Sequence, residues 1–307
     1  MTLFHGLSAF PLTPVDDEGT IDEALLRLFL ERIAAAGADS IGFLGSTGGY
    51  AFLSPKQRRA AVRIAVDHVG GRVPVIVGVG ALRTDMAVAL ARDARDAGAD
   101  GLLLAPMSYT PLTDEEVFHH FAAVAVAGAL PLCVYNNPGT TRFEFRPELI
   151  ERLAALPHVA AIKMPLPASG SCADELARLR ARTPAGFAIG YSGDWGAADA
   201  MLDGCDAWYS VVAGLLPAPA LALTRAARAG NTAEARRIDH AFRPMWDLFR
   251  QFGSFRVMHA LADVLDLGRL APPRPVLPMP ASERGRLEAA VRALDVIAQD
   301  EAGAAKR

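Results

Sequence analysis

Lysine is nearly missing from this chain: of 31 lysines and arginines, only Lys56, Lys163 and Lys306 are lysines. Lys56 follows a Ser-Pro helix start and Lys306 sits in a terminal AGAAKR, where ordinary surface charges are expected. Lys163 closes the apolar run HVAAIK and fits no such account. Cysteine is scarce as well. Cys133, Cys172 and Cys205 are far apart and odd in number, which argues against a disulfide framework, a clustered zinc site or a redox pair. They read as reduced thiols packed in or near a core. Long apolar runs are absent; none approaches the roughly 18 residues of a membrane-spanning helix. The opening MTLFHGLSAF has no basic stretch followed by a long apolar one, so no signal peptide is expected. With a net charge of -3 and scattered basic residues, the chain shows no electrostatic footprint for nucleic acid or an acidic membrane surface. The expectation is a soluble, cytoplasmic protein whose partner is a small molecule.

A chain of 307 residues, 51% of them hydrophobic, can bury a large core. Eight short runs have strand character: GLSAFPL, SIGFLG, PVIVGVG, GLLLAP, PLCVYN, VAAIKM, FAIGYSG and AWYSVV. Amphipathic segments such as DEALLRLFLERIAAAG and SPKQRRAAVRIAVDHV lie between them, several opening on Ser, Thr or Asp and closing on Gly. Strands apolar on both faces, each followed by a helix, predict an α/β fold, a (β/α)8 TIM barrel over residues 1–225. A doubly wound open sheet is the alternative, but GVGALR lacks the third glycine of a dinucleotide turn. Beyond residue 225 only helical pattern remains, so residues 226–307 are expected to form a small C-terminal helical domain.

In such a barrel the chemistry gathers at the C-terminal ends of the strands. Lys163 ends the sixth, Tyr135 the fifth, the turn GSTGG leaves the second and Asp194 leaves the seventh. An amine carried into a desolvated barrel mouth is available as a nucleophile toward carbonyls and forms a Schiff base. Tyr135 can move the protons, and GSTGG offers small hydroxyls and backbone N–H groups suited to a carboxylate. Each feature alone has a plainer explanation: a snorkelling lysine, a core tyrosine, a tight turn, an aspartate capping the helix WGAADAML. Their convergence on one barrel face favours a site.

These residues, with the opening AFPLTPVDDEGTID, YNNP, YSGDW and the tail SFRVMHALADVLDLGRLAPPRPVLPM, resemble the pyruvate-dependent class I aldolases, the dihydrodipicolinate synthase and N-acetylneuraminate lyase family. The resemblance spans nearly the whole chain. It implies a homo-oligomer, usually a tetramer built as a dimer of dimers, and no metal or other cofactor. It also implies that Lys163 forms the imine with a 2-keto acid and that Tyr135 is the general acid and base. Ser46 would join the proton relay, and Ser46, Thr47 and Gly48 would meet the substrate carboxylate. Thr140, Tyr109 and Asp194 are the remaining substrate-binding positions, and in the family a neighbouring subunit's tyrosine often completes the relay.

The chain also departs from the family pattern. Gly49 stands where the family turn has glutamate, Thr140 where dihydrodipicolinate synthase has a carboxylate-binding arginine, and Ser108 where the relay tyrosine aligns, with Tyr109 shifted by one. Arg142 lies close by. MPLPA after the lysine, with Met107 and Trp195, suggests a wider, less polar opening and a less hydroxylated substrate. The resemblance thus implies a Schiff-base-forming lyase, cleaving C–C or C–O bonds, that acts on pyruvate or a related 2-keto acid. Condensation of pyruvate with aspartate semialdehyde, the dihydrodipicolinate synthase reaction, is the alternative activity. A keto-acid-binding barrel without turnover is the alternative of another class.

Overall fold

A computed structural model describes residues 3–16 and 18–304. Eight parallel strands close into a barrel in sequence order: β1 Gly6–Ala9, β2 Ser40–Phe43, β3 Val75–Gly78, β4 Gly101–Leu104, β5 Leu132–Tyr135, β6 Val159–Met164, β7 Ala188–Tyr191 and β8 Ala207–Ser210. All eight expected strands are present. Most are shorter than their apolar runs, because the last residues of each run leave the ladder to form the loops at the barrel mouth.

The helices packed outside are α1 Glu23–Ala36, α2 Pro55–Val69, α3 Thr84–Asp96, α4 Asp114–Gly128, a single turn α5 Pro138–Thr141, α6 Pro147–Ala154, α7 Cys172–Arg180, α8 Ala197–Leu202 and α9 Pro217–Arg228. Local chemistry sets their starts. Ser54 and Thr113 form capping boxes with Gln57 and Glu116, and Asp22 accepts from Leu25 N. Gly37 and Gly70 close α1 and α2 in the left-handed region.

Three further helices, α10 Thr232–Phe252, α11 Ser254–Val264 and α12 Arg284–Ala304, make up the C-terminal helical segment. The expected boundary at residue 225 falls inside α9, the last barrel helix. The chain leaves the barrel at the turn Gly230–Asn231, and Asn231 caps α10. Lys56 is exposed on α2, as expected, whereas Lys306 lies outside the described residues. The three cysteines are free and buried. Among the described residues, no helix is long and apolar enough to cross a membrane.

Apolar side chains separate into two sets. The larger fills the space between strands and helices; the smaller fills the barrel lumen and includes Phe10, Ile76, Leu103, Cys133, Tyr135, Ala161, Ala188, Ala207 and Tyr209. Side chains alternate across a strand, so Cys133 with Tyr135, and Ala161 with Lys163, face the lumen while Val134, Ile162 and Met164 face the helices.

Two buried histidines connect the fold to pH. His120 on α4 shares a 2.9 Å hydrogen bond between Nδ1 and Thr84 Oγ1, and its buried Nε2 has no partner among the described residues. His259 on α11 is also buried. Burial holds both below their usual value of 6.5, so both are neutral in the folded protein. The unfolded chain therefore binds more protons, and stability falls as pH drops below about 6.5. The thermal midpoint is expected to decline between about pH 6.5 and 5, and less steeply in His120→Asn, which keeps a partner for Thr84; an unchanged slope in the variant would exclude His120 as a source.

Candidate active site

Tyr135 and Lys163 are direct neighbours in the ladder of β5 and β6, and both face the lumen at its C-terminal end. Lys163 is 3% exposed and Tyr135 7%. The Tyr135 hydroxyl lies 3.3 Å from Ser46 Oγ and accepts a 2.9 Å hydrogen bond from Asn137 Nδ2. With one lone pair taken by Asn137, the phenol proton can point toward Ser46 or toward a group bound near Lys163. Asn137 was missed by sequence reasoning. Its only signal was its place two residues beyond Tyr135 in YNNP, where the chain turns back over the strand end into α5.

Lys163 Nζ forms no ion pair among the described residues. Instead it lies 4.0 Å from the Phe10 ring centroid, 4.2 Å from that of Tyr135 and 5.7 Å from that of Tyr209. Asp194, expected at the substrate, is 2% exposed and points to β8 and its loop. It accepts from Trp208 Nε1 at 2.9 Å, Val211 N at 3.1 Å and Val212 N at 2.8 Å. Burial raises its carboxyl above the usual carboxylate range, against the opposing pull of those donors. Nor does Asp194 cap its own helix; it ties the start of the β7 loop to the end of β8.

The turn GSTGG follows Leu44, which leaves β2 with a φ of 55°, a left-handed conformation unusual for a branched side chain. Gly78 on β3 permits it, because a Cβ there would overlap the Leu44 carbonyl. Arg58, buried on α2, reinforces the same corner by donating to Gly78 O at 2.7 Å and Gly80 O at 2.8 Å. Desolvation pushes that guanidinium down to about 10.

Ser46 is half-buried, while Thr47 and Gly48 are buried and pack toward Phe255 and His259 of α11 around a cavity of about 20 Å³. Phe52, just beyond the turn, stacks on Phe255 with centroids 6.0 Å apart and planes 9° apart. His259 Nδ1 donates to Phe255 O at 2.7 Å, which leaves Nε2 as the acceptor nitrogen. The helical segment thus props the turn from outside the barrel.

A second cavity, of about 330 Å³, opens above Ser46 between Gly49, Tyr50, Phe52, Leu82, Met107, Ser108, Thr140, Thr141 and Phe255. Its lining carries hydroxyls and apolar surface but no charged side chain. Thr140 lies here, exposed on α5, with Oγ1 bonded to Asn137 O. Arg142 ends α5 in the left-handed region and does not line this cavity. Tyr109 is 98% exposed and does not line it either. MPLPA, expected at the opening, lies elsewhere: Met164 through Ala168 line a groove of about 660 Å³ against α6 and α7. Trp195, also expected at the opening, does not line the mouth cavity; it stays 38% exposed, with the Arg250 guanidinium 5.7 Å from its ring centroid.

A closed parallel barrel with a lysine inside the end of its sixth strand, beside a tyrosine ending its fifth, defines a lyase of the Schiff-base aldolase class. The chain belongs to the dihydrodipicolinate synthetase family, whose family model matches residues 3–294. It is 36% identical over 286 residues to the 4-hydroxy-tetrahydrodipicolinate synthase of Leptothrix cholodnii, a match covering 92% of this chain and 94% of that one. With the synthase of Methylococcus capsulatus the identity is 35% over 254 residues, 82% of this chain and 86% of that one. The crystal structure of a dihydrodipicolinate synthase from Agrobacterium tumefaciens superimposes with a TM-score of 0.94 at 58% identity, covering 95% of this chain and 99% of that one.

Gly78→Ala places a methyl group against the Leu44 carbonyl and must displace the start of GSTGG. A loss of about 1–3 kcal/mol in unfolding free energy is expected, together with reduced turnover; urea unfolding and a steady-state assay of one preparation check both.

Proposed function

We propose that this protein forms a Schiff base between Lys163 and pyruvate or a related 2-keto acid, and that the resulting enamine exchanges a bond with a second, aldehyde-bearing partner. The reading is carried by the paired strand ends that set Lys163 beside Tyr135, with Ser46 on the tyrosine hydroxyl. The neutral amine attacks C2 of the keto acid and forms a C–N bond, giving a carbinolamine. Tyr135 donates its proton to the C2 hydroxyl, which leaves as water, and a protonated imine remains. The Tyr135 oxygen then takes a proton from C3, and that C–H electron pair moves toward nitrogen to give the enamine. Addition of C3 to an aldehyde forms the new C–C bond, and a proton passes to the aldehyde oxygen. Hydrolysis frees the lysine. Read backwards, the same steps cleave a C–C bond.

In this reading Ser46, Thr47 and the backbone at Gly48 hold the carboxylate of the keto acid, and Asn137 orients the Tyr135 hydroxyl. Thr140 faces the second partner. Asp194 acts by holding the β7 and β8 loops rather than by touching substrate. Neither a metal nor an organic cofactor is required. The protein works in the cytoplasm as a homo-oligomer, in the form of a tetramer. The exposed Leu82 and Phe52 at the mouth, with the exposed Tyr109 next to the lining Ser108, support a second copy at this face. Tyr109 of that copy would be the tyrosine that completes the relay.

The related synthases are named for 4-hydroxy-tetrahydrodipicolinate, the product of pyruvate and aspartate semialdehyde, and that condensation is the specific activity to test first. The uncharged lining of the mouth cavity is the observation that favours a different aldehyde.

Borohydride reduction in the presence of pyruvate or another 2-keto acid should add mass at Lys163, and Lys163→Ala should abolish the adduct while the fold persists. No adduct across a panel of 2-keto acids would overturn the proposal. Tyr135→Phe should still form the adduct but lose turnover by about 10²–10⁴-fold, read as kcat; an unchanged kcat removes Tyr135 from its role. A coupled assay with pyruvate and aspartate semialdehyde decides between the synthase activity and another aldehyde partner.

A further inference from the structure

The geometry points to an aromatic cage of Phe10, Tyr135 and Tyr209 as the counter-charge for nitrogen at Lys163, a stabilising device for the protonated imine. The inference rests on the Schiff-base reading above and goes beyond it by assigning a function to two residues, Phe10 and Tyr209, that the mechanism does not otherwise use.

A protonated imine is a better electron sink than a neutral one, so the site must favour positive charge on nitrogen once the C–N bond has formed. A carboxylate paired directly with the nitrogen is the ordinary means, and among the described residues none forms an ion pair with Lys163; Asp194 acts on it through charge alone. The nearby acid, Asp194, has its oxygens occupied by Trp208, Val211 and Val212. What faces the nitrogen are three ring faces, at 4.0, 4.2 and 5.7 Å from Nζ. The negative quadrupole of an aromatic face attracts a cation, more strongly where water is excluded.

The rings are held there by features spread around the barrel. Phe10 enters a hollow that exists because Gly42 and Gly45 have no side chains; a Cβ at either would collide with its ring. Tyr209 rests on Gly190, the residue paired with Lys163 on β7, where a Cβ would come within 2.6 Å of the tyrosine ring. Phe10 and Tyr209 brace each other edge to face, with centroids 6.2 Å apart and planes at 79°. Tyr209 is 1% exposed, and among the described residues its hydroxyl is hydrogen-bonded to the Cys133 thiol alone, at 3.5 Å. Burial raises both groups, Cys133 to about 12 and Tyr209 well above its ordinary value, so each stays neutral. Tyr209 therefore offers Lys163 a ring face rather than an anion.

Replacing Phe10 by 4-fluoro-, 3,5-difluoro- and 3,4,5-trifluorophenylalanine weakens the ring's negative face stepwise with little change of shape. The readout is the rate of hydrogen–deuterium exchange at C3 of saturating pyruvate, which needs imine and enamine but no second substrate. The proposal expects the logarithm of that rate to fall progressively with fluorination, by about 2- to 30-fold over the series, at constant thermal midpoint. Phe10→Leu should fall at least as far. A rate constant within twofold across the fluorinated series, with the wild-type Lys163 adduct intact, overturns the cage alone. Absence of a Lys163 adduct and of exchange in the wild-type protein instead overturns the Schiff-base reading beneath it.

Discussion

Strand alternation inside a closed barrel is the constraint on which everything else rests. Lys163 shares the inner face of β6 with Ala161, so burial of the neighbouring Ile162 and Met164 against the helices leaves the lysine only the lumen. Closure then does two things. It brings Tyr135 and Gly190 into register on either side of Lys163, and it surrounds the amine with the inner faces of strands distant in sequence. A slip of one residue in β6 would exchange Lys163 for Met164 or Ile162. The apolar register that stabilises the barrel is therefore the same register that places Lys163.

The lumen accommodates a lysine and three rings because the surrounding strands contribute small residues. Ala161, Ala188, Ala207, Gly42 and Gly190 stand where a barrel built only for stability would carry branched chains. Packing and chemistry meet at these positions: the space freed by the glycines is occupied by Phe10 and Tyr209, and those rings contact the amine.

Much of this could be read from the sequence because it is local. The eight strands, the helix caps and the anomaly of Lys163 all depend on period, neighbours or composition, and VAAIKM is strand along its whole length. The features that escaped are those that join distant segments. Asp194 looked like a helix cap or a substrate ligand because its neighbours are polar and helical, yet its partners lie 14 to 18 residues further on. Asn137 is invisible without the fold of α5 over the strand end. MPLPA was expected at the opening because it follows the lysine, but Leu166 packs on Gly193 and Gly196 and the segment turns outward toward α6 and α7. The expected boundary at 225 lies inside α9, because a barrel helix and an added helix have the same periodicity. The family could be inferred from the motifs, whereas the roles of individual side chains depended on contacts the motifs do not encode.

The stack of Phe52 on Phe255 means that the GSTGG turn has a foundation outside the barrel that bears it. α10 and α11 meet at Gly253, two residues before Phe255, so the ring under the turn stands on the first turn of α11. Insertions in most surface connections of a (β/α)8 protein are absorbed where they occur. One near Gly253 would instead be transmitted through Phe255 to the turn beside Thr47 and Gly48, so a joint 90 residues from Lys163 in sequence bears on the geometry of the barrel mouth.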